Sequence, residues 1–253
     1  MAWADGWASS LGLVLVLAAL LSYLGMLFVA HRFTYKTWTF DGLAGVGIAL
    51  AIAGWIAGEA PTVPIVTLVL GISWFVISRR ELRLSGSNEL LAHVGKPLPE
   101  FAASTVTGKP VTGQDLLAAA PTLLVLYRGW WCPSSKAQLG ELIAAHEELA
   151  EAGLTIFAGS VDSPAESAPM QEYVGDSITI LCNVPESFLD EVGVRDSRGA
   201  PWYDRALFGA AERAIAMPTA LVVERSGRVV FADRAKSVED RAAPALILNA
   251  INV

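Results

Sequence analysis

Two cysteines stand in this chain, Cys132 and Cys182, and the first has the neighbours for chemistry. Residues 126–139 read LYRGWWCPSSKAQL, so Cys132 is followed by Pro133 and preceded, four residues earlier, by Arg128. The thiolate is the nucleophilic form of cysteine, and a helix N-terminus or a nearby cation favours it. This pattern offers both. Pro133 suits a first helical turn, where a missing N–H is no loss, and Ser135 brings a hydroxyl that can bond the thiolate or cap backbone N–H groups. Cys182 ends the apolar run 178–182 and reads as a buried structural cysteine, the commonest fate of a free thiol. The three histidines, His31, His93 and His146, lack the spacing of a metal site and read as structural. No motif calls for haem, flavin, nucleotide or metal, so no cofactor is expected. Trp130, Trp131 and Trp202 offer an aromatic surface near the sulfur, with Trp131 equally suited to packing. The acidic run Glu147, Glu148 and Glu151 reads as a solvated helix face.

A thiolate site needs a frame that ends a strand where a helix begins. Residues 121–127 (PTLLVLY) form a continuous apolar run of the buried-strand type, and 136–152 predict an amphipathic helix with Leu139, Leu142, Ile143, His146 and Leu149 at helical spacing. Strands are expected at 155–161 and 178–182, and short helices at 169–174 and 186–191. Strands alternating with helices imply a largely parallel sheet covered on both faces. The pattern then changes. Residues 220–223 and 228–231 flank Glu224-Arg225-Ser226-Gly227, a tight hairpin signal, and 238–252 close the chain as a helix. A β-α-β unit followed by an antiparallel hairpin and a last helix is the order of a thioredoxin-like α/β fold.

The segment LYRGWWCPSSKAQL resembles the active-site segment of thioredoxin-like redoxins, in particular the peroxiredoxin-like group of the alkyl hydroperoxide reductase/thiol-specific antioxidant family, which carries Tyr-Arg-Gly-x-Trp-Cys-Pro. Three further segments agree in order. VGKPLPEF (94–101) with TGKPV (107–111) resembles the family's N-terminal extended hairpin, AGSVDSP (158–164) its second core strand, and MPTALVVERSGRVVF (217–231) its proline loop and final hairpin. The resemblance implies catalytic roles for Cys132, Arg128, Ser135 and Pro218, the last as a cis-proline against the reactive sulfur. The chain also departs from the family. Ser135 stands where a dithiol thioredoxin has its second cysteine, which removes the internal exchange that releases a mixed disulfide. The peroxiredoxin signature places Thr three residues and Pro seven residues before its cysteine, and counted from Cys132 these places hold Gly129 and Val125. If Cys132 aligns with the first cysteine of a thioredoxin motif instead, Ser135 takes the peroxidatic place.

The resemblance stops short of the first third of the chain, which has a different character. Of 253 residues 53% are hydrophobic and 17% charged, with a mean hydropathy of +0.47. An ordinary soluble domain is about a quarter charged, so the deficit points to membrane segments. Residues 11–30 are uncharged and long enough for a hydrocarbon core of roughly 30 Å. The runs 42–58 and 61–78 predict a helical hairpin around the turn at Gly58 and Pro61. Gly45, Ala49 and Ala53, at spacing four, are expected to let a helix approach closely, most simply within this bundle. Residues 1–84 are thus read as an all-α three-helix transmembrane region, 85–93 as a linker and 94–253 as the redoxin domain. Arg32 and Lys36 follow the first run and Arg79, Arg80 and Arg83 the third. The positive-inside rule therefore places the N-terminus outside and the redoxin domain in the cytoplasm, at a bacterial inner membrane. A hairpin that failed to cross would change that parity.

Charge limits the partners. Residues 1–89 carry five basic and five acidic side chains, which leaves 18 − 5 = 13 basic and 25 − 5 = 20 acidic residues for 90–253, a net −7. An acidic domain argues against nucleic acid and against a polybasic grip on lipid. Two readings follow. In one, Cys132 is a single reactive thiolate that reduces hydroperoxides or exchanges with disulfides and is regenerated by an external thiol. In the other, a degenerate redoxin serves as an accessory subunit of a larger membrane complex. The lipid bilayer is a partner in both.

Overall fold

In the computed structural model, residues 6–30, 38–76, 78, 90–92, 94–100, 102–200, 202–235 and 241–251 are described. The chain divides into two compact units, residues 1–83 and 84–253. His31, His93 and most of the expected linker lie outside the described residues.

The first unit consists of α1 (Trp7–Phe28), α2 (Trp38–Ile56) and α3 (Thr62–Val76). The first two are long and apolar enough to cross a membrane. Helix α3 is described over 15 residues, about 22 Å of rise, within the expected 61–78. The backbones of α1 and α2 touch at Gly12 and Gly47, where a Cβ on either would run into the other's carbonyl oxygen. The buried seam of α2 is Phe40, Ala44, Gly47, Ala51 and Gly54. It is not the expected stripe, since Ala49 and Ala53 are exposed. At about 100° per residue, steps of four drift around a helix, whereas alternating steps of four and three stay on the face that meets a neighbour. At one end of the unit Tyr23 packs edge-on against Phe40 and Trp74, with ring centroids 5.9 and 5.0 Å away. There the Trp74 indole also donates to Asp41 Oδ1 at 3.0 Å. Elsewhere, the buried Glu59 in the turn after α2 accepts hydrogen bonds from the amides of Ala8 (3.2 Å) and Ser9 (3.0 Å), two of the amides that open α1.

The second unit is a mixed α/β domain. Its elements in order are β1 (Ala102–Thr105), β2 (Pro110–Thr112), α4 (Gly113–Ala118), β3 (Thr122–Leu126), α5 (Pro133–Ala144), α6 (His146–Glu151), β4 (Thr155–Gly159), α7 (Pro164–Val174), β5 (Thr179–Cys182), α8 (Glu186–Val192), β6 (Arg195–Asp196), α9 (Trp202–Phe208), β7 (Ile215–Ala216), β8 (Thr219–Val223), β9 (Val229–Arg234) and α10 (Pro244–Ile251). Seven strands make one sheet in the order β2-β1-β5-β4-β3-β8-β9. Strands β3, β4 and β5 are parallel, while β8 runs antiparallel to β3 and β9 to β8. Within it, β4-β3-β8-β9 with the intervening helices is the thioredoxin-like core the sequence predicts.

The all-apolar β3 is buried throughout because both of its faces are covered. Leu124 and Leu126 point into a cluster with Leu116, Phe188 and Leu189, whereas Leu123 and Val125 join Leu139, Leu142, Met170 and Ile247 on the other face. Each such side chain contributes roughly 1.5–3 kcal/mol by leaving water. Two expectations shift. The N-terminal hairpin is built from β1 and β2, because residues 95–98 of the expected arm pair elsewhere, the Gly95 amide donating to the Val229 carbonyl at 2.7 Å and the Leu98 amide to the Gly227 carbonyl at 2.9 Å. The helix expected at 136–152 starts three residues earlier, on Pro133, and is interrupted at Ala145. The elements β6, α9 and β7 have no counterpart in the sequence reading.

Candidate active site

Strand β3 ends where the chain must turn back toward α5, and that turn carries the site. Tyr127 extends the strand, its N–H donating to the Gly159 carbonyl at 3.0 Å. The chain bends at Gly129 (φ +151), where a side chain would collide with the Trp131 indole and the Asp162 carboxylate, so glycine is required. Cys132 is the N-cap of α5 and Pro133 its first residue. The Cys132 carbonyl accepts from the amides of Ser135 (3.0 Å) and Lys136 (3.2 Å), which opens the helix. The sulfur therefore sits at the positive end of a twelve-residue helix.

The surroundings of that sulfur are buried and cationic. Cys132 is 2% exposed and Arg128 5%. Arg128 Nη1 lies 3.9 Å from Cys132 Sγ, with its guanidinium 4.9 Å from the centre of the Trp131 ring. The Arg128 amide donates to Ser135 Oγ at 3.3 Å, which leaves the Ser135 hydroxyl proton to point elsewhere. Burial pushes the Cys132 thiol up, but Arg128, Arg241 and hydrogen bonds from the Ser135 hydroxyl and amide outweigh it and hold the thiol below its ordinary value. Arg241, from the segment before α10, is buried and donates to Gln138 Oε1 on α5 at 2.7 Å. On the other side Ala200, Ala210 and Ile215 pack against Cys132 and Trp131. An arrangement of this kind favours the thiolate and shields it from bulk water.

Of the expected site residues, Cys132, Arg128 and Ser135 come together. Pro218 is buried just ahead of β8, and its carbonyl accepts from the Ala235 amide at 2.9 Å. The Met217–Pro218 bond is trans, against the expected cis-proline; the cis bond among the described residues is Ala120–Pro121. Cys182 is fully buried in the cluster on the α5 and α7 face of the sheet, apart from the cluster that holds Cys132. Both cysteines are free. Trp131 is 9% exposed and packs against the site, while Trp130 lies half-buried under Lys136 Nζ, 3.6 Å from its ring centre, and Trp202 is 72% exposed.

Charged residues around the site escaped the sequence reading. Arg241 and Asp204 are distant in sequence and carry no local signal. Asp162 is buried and bonds Arg213 at 2.7 Å. Burial pushes its carboxyl up, against the pull of Arg213. The legible part was next to it: Ser163 and Glu166 form a capping box at the start of α7, with the Ser163 amide and hydroxyl bonding Glu166 at 2.8 and 2.6 Å. Against partial burial, Ser163 and Arg213 bring the Glu166 carboxyl down to about 2. Away from the site, a groove of about 700 Å³ is lined by Leu98, Glu100, Gln114 and Gly227. By strand register it lies at the opposite end of β3 from Cys132.

The geometry agrees with what this chain is similar to. The model of the AhpC/TSA family matches residues 94–232, more than half of the chain. The chain belongs to the AhpC/TSA family. Among solved structures it is similar to a reduced Prx3 from Vibrio vulnificus in complex with H2O2 (22% identity, 63% of this chain and 98% of that one, TM-score 0.52). It is also similar to peroxiredoxin 5 from Alvinella pompejana (16% identity, 63% and 97%, TM-score 0.51) and to a peroxiredoxin 6 of Arenicola marina (17% identity, 63% and 72%, TM-score 0.52). At these identities the likeness is one of fold. Among curated proteins none matches. The second unit is thus a peroxiredoxin-like redoxin with the thioredoxin fold.

Proposed function

We propose that this chain is a membrane-anchored, peroxiredoxin-like thiol redox protein that uses Cys132 as its single reactive thiolate. One observation carries the reading: Cys132 caps the N-terminus of α5 with the Arg128 guanidinium 3.9 Å from its sulfur. The thiolate attacks the terminal oxygen of a hydroperoxide, the O–O bond breaks, the alkoxide leaves and takes a proton, and the sulfur becomes a sulfenic acid. An external thiol condenses with it to a mixed disulfide and water, and a second external thiol releases Cys132 as a thiol. The external route follows from Ser135, which has no sulfur to perform that release. The same thiolate supports monothiol exchange with a disulfide. Arg128 favours the anion and Ser135 bonds it. Helices α1, α2 and α3 serve as the anchor, three crossings that put the basic residues after α1 and α3 on the cytoplasmic side.

Sulfenate trapping tests this directly. The reduced full-length protein, exposed to graded hydroperoxide with a sulfenate-specific trap, is expected to give an adduct mapped to Cys132 and absent from Cys132→Ser. The accessory-subunit reading has the deep burial of Cys132 in its favour. Absence of trapping even at millimolar oxidant, together with co-purification of stoichiometric membrane partners, would decide for it.

A further inference from the structure

The short antiparallel pair β6–β7 is the stem of an excursion whose far part, α9 with residues 209–214, lies over the sulfur. Ala210 packs in the same buried cluster as Cys132 and Trp131, joined by Ala200 near the stem. Asp204 of α9 faces inward at 7% exposure, while Trp202 and Leu207 on the same helix are each 72% exposed. Gly199 and Gly209 bracket α9 in left-handed conformations, φ +68° and +71°. The returning end is fastened by Arg213, which reaches Asp162 at 2.7 Å and Glu166 at 2.9 Å. Arg128 Nη1 therefore stands between two acceptors at nearly equal distance, Cys132 Sγ at 3.9 Å and Asp204 Oδ2 at 3.8 Å. A guanidinium shared with a carboxylate gives less of its field to a sulfur than one that faces the sulfur alone.

We propose that Asp204 is a positioning residue: it holds part of the Arg128 charge away from Cys132 while α9 and residues 209–214 cap the sulfur, so that displacing the cap both exposes the thiolate and returns that charge to it. The inference rests on Cys132 being the reactive thiolate. The charged groups around the sulfur are Arg128 from the loop after β3, Arg241 from the segment before α10 and Lys136 on α5, with Asp204 acting through Arg128 from α9. Asp204 is the one anion in this set, which fixes the direction of the expected effect.

The test is the pH dependence of Cys132 alkylation in the full-length protein, with the modified residue mapped by mass spectrometry. The midpoint of the profile reads the charge that reaches the sulfur, and the plateau at high pH reads access. Asp204→Asn is expected to move the midpoint down by about half a unit, making alkylation on the acid limb about threefold faster beyond any change in plateau. Asp204→Glu, which keeps the carboxylate, is expected to keep the wild-type midpoint. A higher plateau with an unmoved midpoint would reduce Asp204 to a latch and overturn the proposal, as would a midpoint that rises. Should the Asn variant fail to fold, Asp204→Ser is read in the same way. No peroxide enters this assay. A lowered midpoint without sulfenate formation therefore upholds the role of Asp204 and sinks the peroxidase reading, whereas a folded protein whose Cys132 resists alkylation at every pH overturns both.

Discussion

Cys132 and Cys182 are both buried, at 2% and 0% exposure, yet their surroundings push their thiols in opposite directions. Burial raises each. Around Cys132 two guanidiniums and the start of α5 reverse that effect. Cys182 ends β5 instead, where the Ser167 hydroxyl helps the anion only slightly and the Asp162 carboxylate opposes it, so the thiol is held above its ordinary value. Depth therefore does not decide which way a thiol shifts in this domain. The sign of the neighbouring charge does, and the fold supplies that sign by ending one sulfur's strand at a helix N-terminus and the other's beside a buried acid.

The contrast can be broken outright by exchanging each sulfur in turn. Cys132→Ser is expected to abolish fast alkylation and sulfenate formation, whereas Cys182→Ser leaves both within about twofold of wild type, measured by mass spectrometry of trapped protein. Removing the nearer cation comes next: Arg128→Met is expected to raise the Cys132 midpoint by about one unit, a roughly tenfold slower alkylation near neutral pH. The more distant cation should matter less. Arg241→Met is expected to slow alkylation about threefold on the acid limb, and Gln138→Leu, which releases Arg241 from α5, moves the profile the same way. The smallest effect is on stability. Cys132 sits below its ordinary value of 9.0, so its contribution is present above that value and lost as pH falls through the folded value. Cys182 sits above 9.0, so its contribution is present below that value and lost as pH rises through the folded value. Chemical denaturation across this window should show Cys132→Ala flattening the rise in stability with pH and Cys182→Ala removing the fall at its alkaline end.

The part of the site legible in the sequence is the part that is contiguous. Arg128, Cys132, Pro133 and Ser135 lie within one turn between an apolar strand and an amphipathic helix, so strand and helix periodicity places them together. Asp204, which meets Arg128, and Arg241, which acts on the sulfur, come from the excursion on the β6–β7 stem and from the segment before α10. Those contacts are made by tertiary packing, which no local pattern encodes. The cap was overlooked for a further reason: its stem strands have two residues each, too short for an alternation to register. In the first unit the apolar runs are plain, but the choice of packing face depends on where α1 lies. A stripe of small residues on α2 does not carry that information, and the close contact fell on Gly47 rather than on Gly45.

The carboxylate of Glu59 adds an order of events to the helical unit. The amides of Ala8 and Ser9 find this acceptor fifty residues later in the chain, so during synthesis the beginning of α1 stays uncapped until α2 and the following turn have been made. In apolar surroundings such amides are costly to leave open. Maturation of the first helix is thereby tied to arrival of the second, and a chain stalled before residue 59 carries a long apolar segment whose leading end is unfinished.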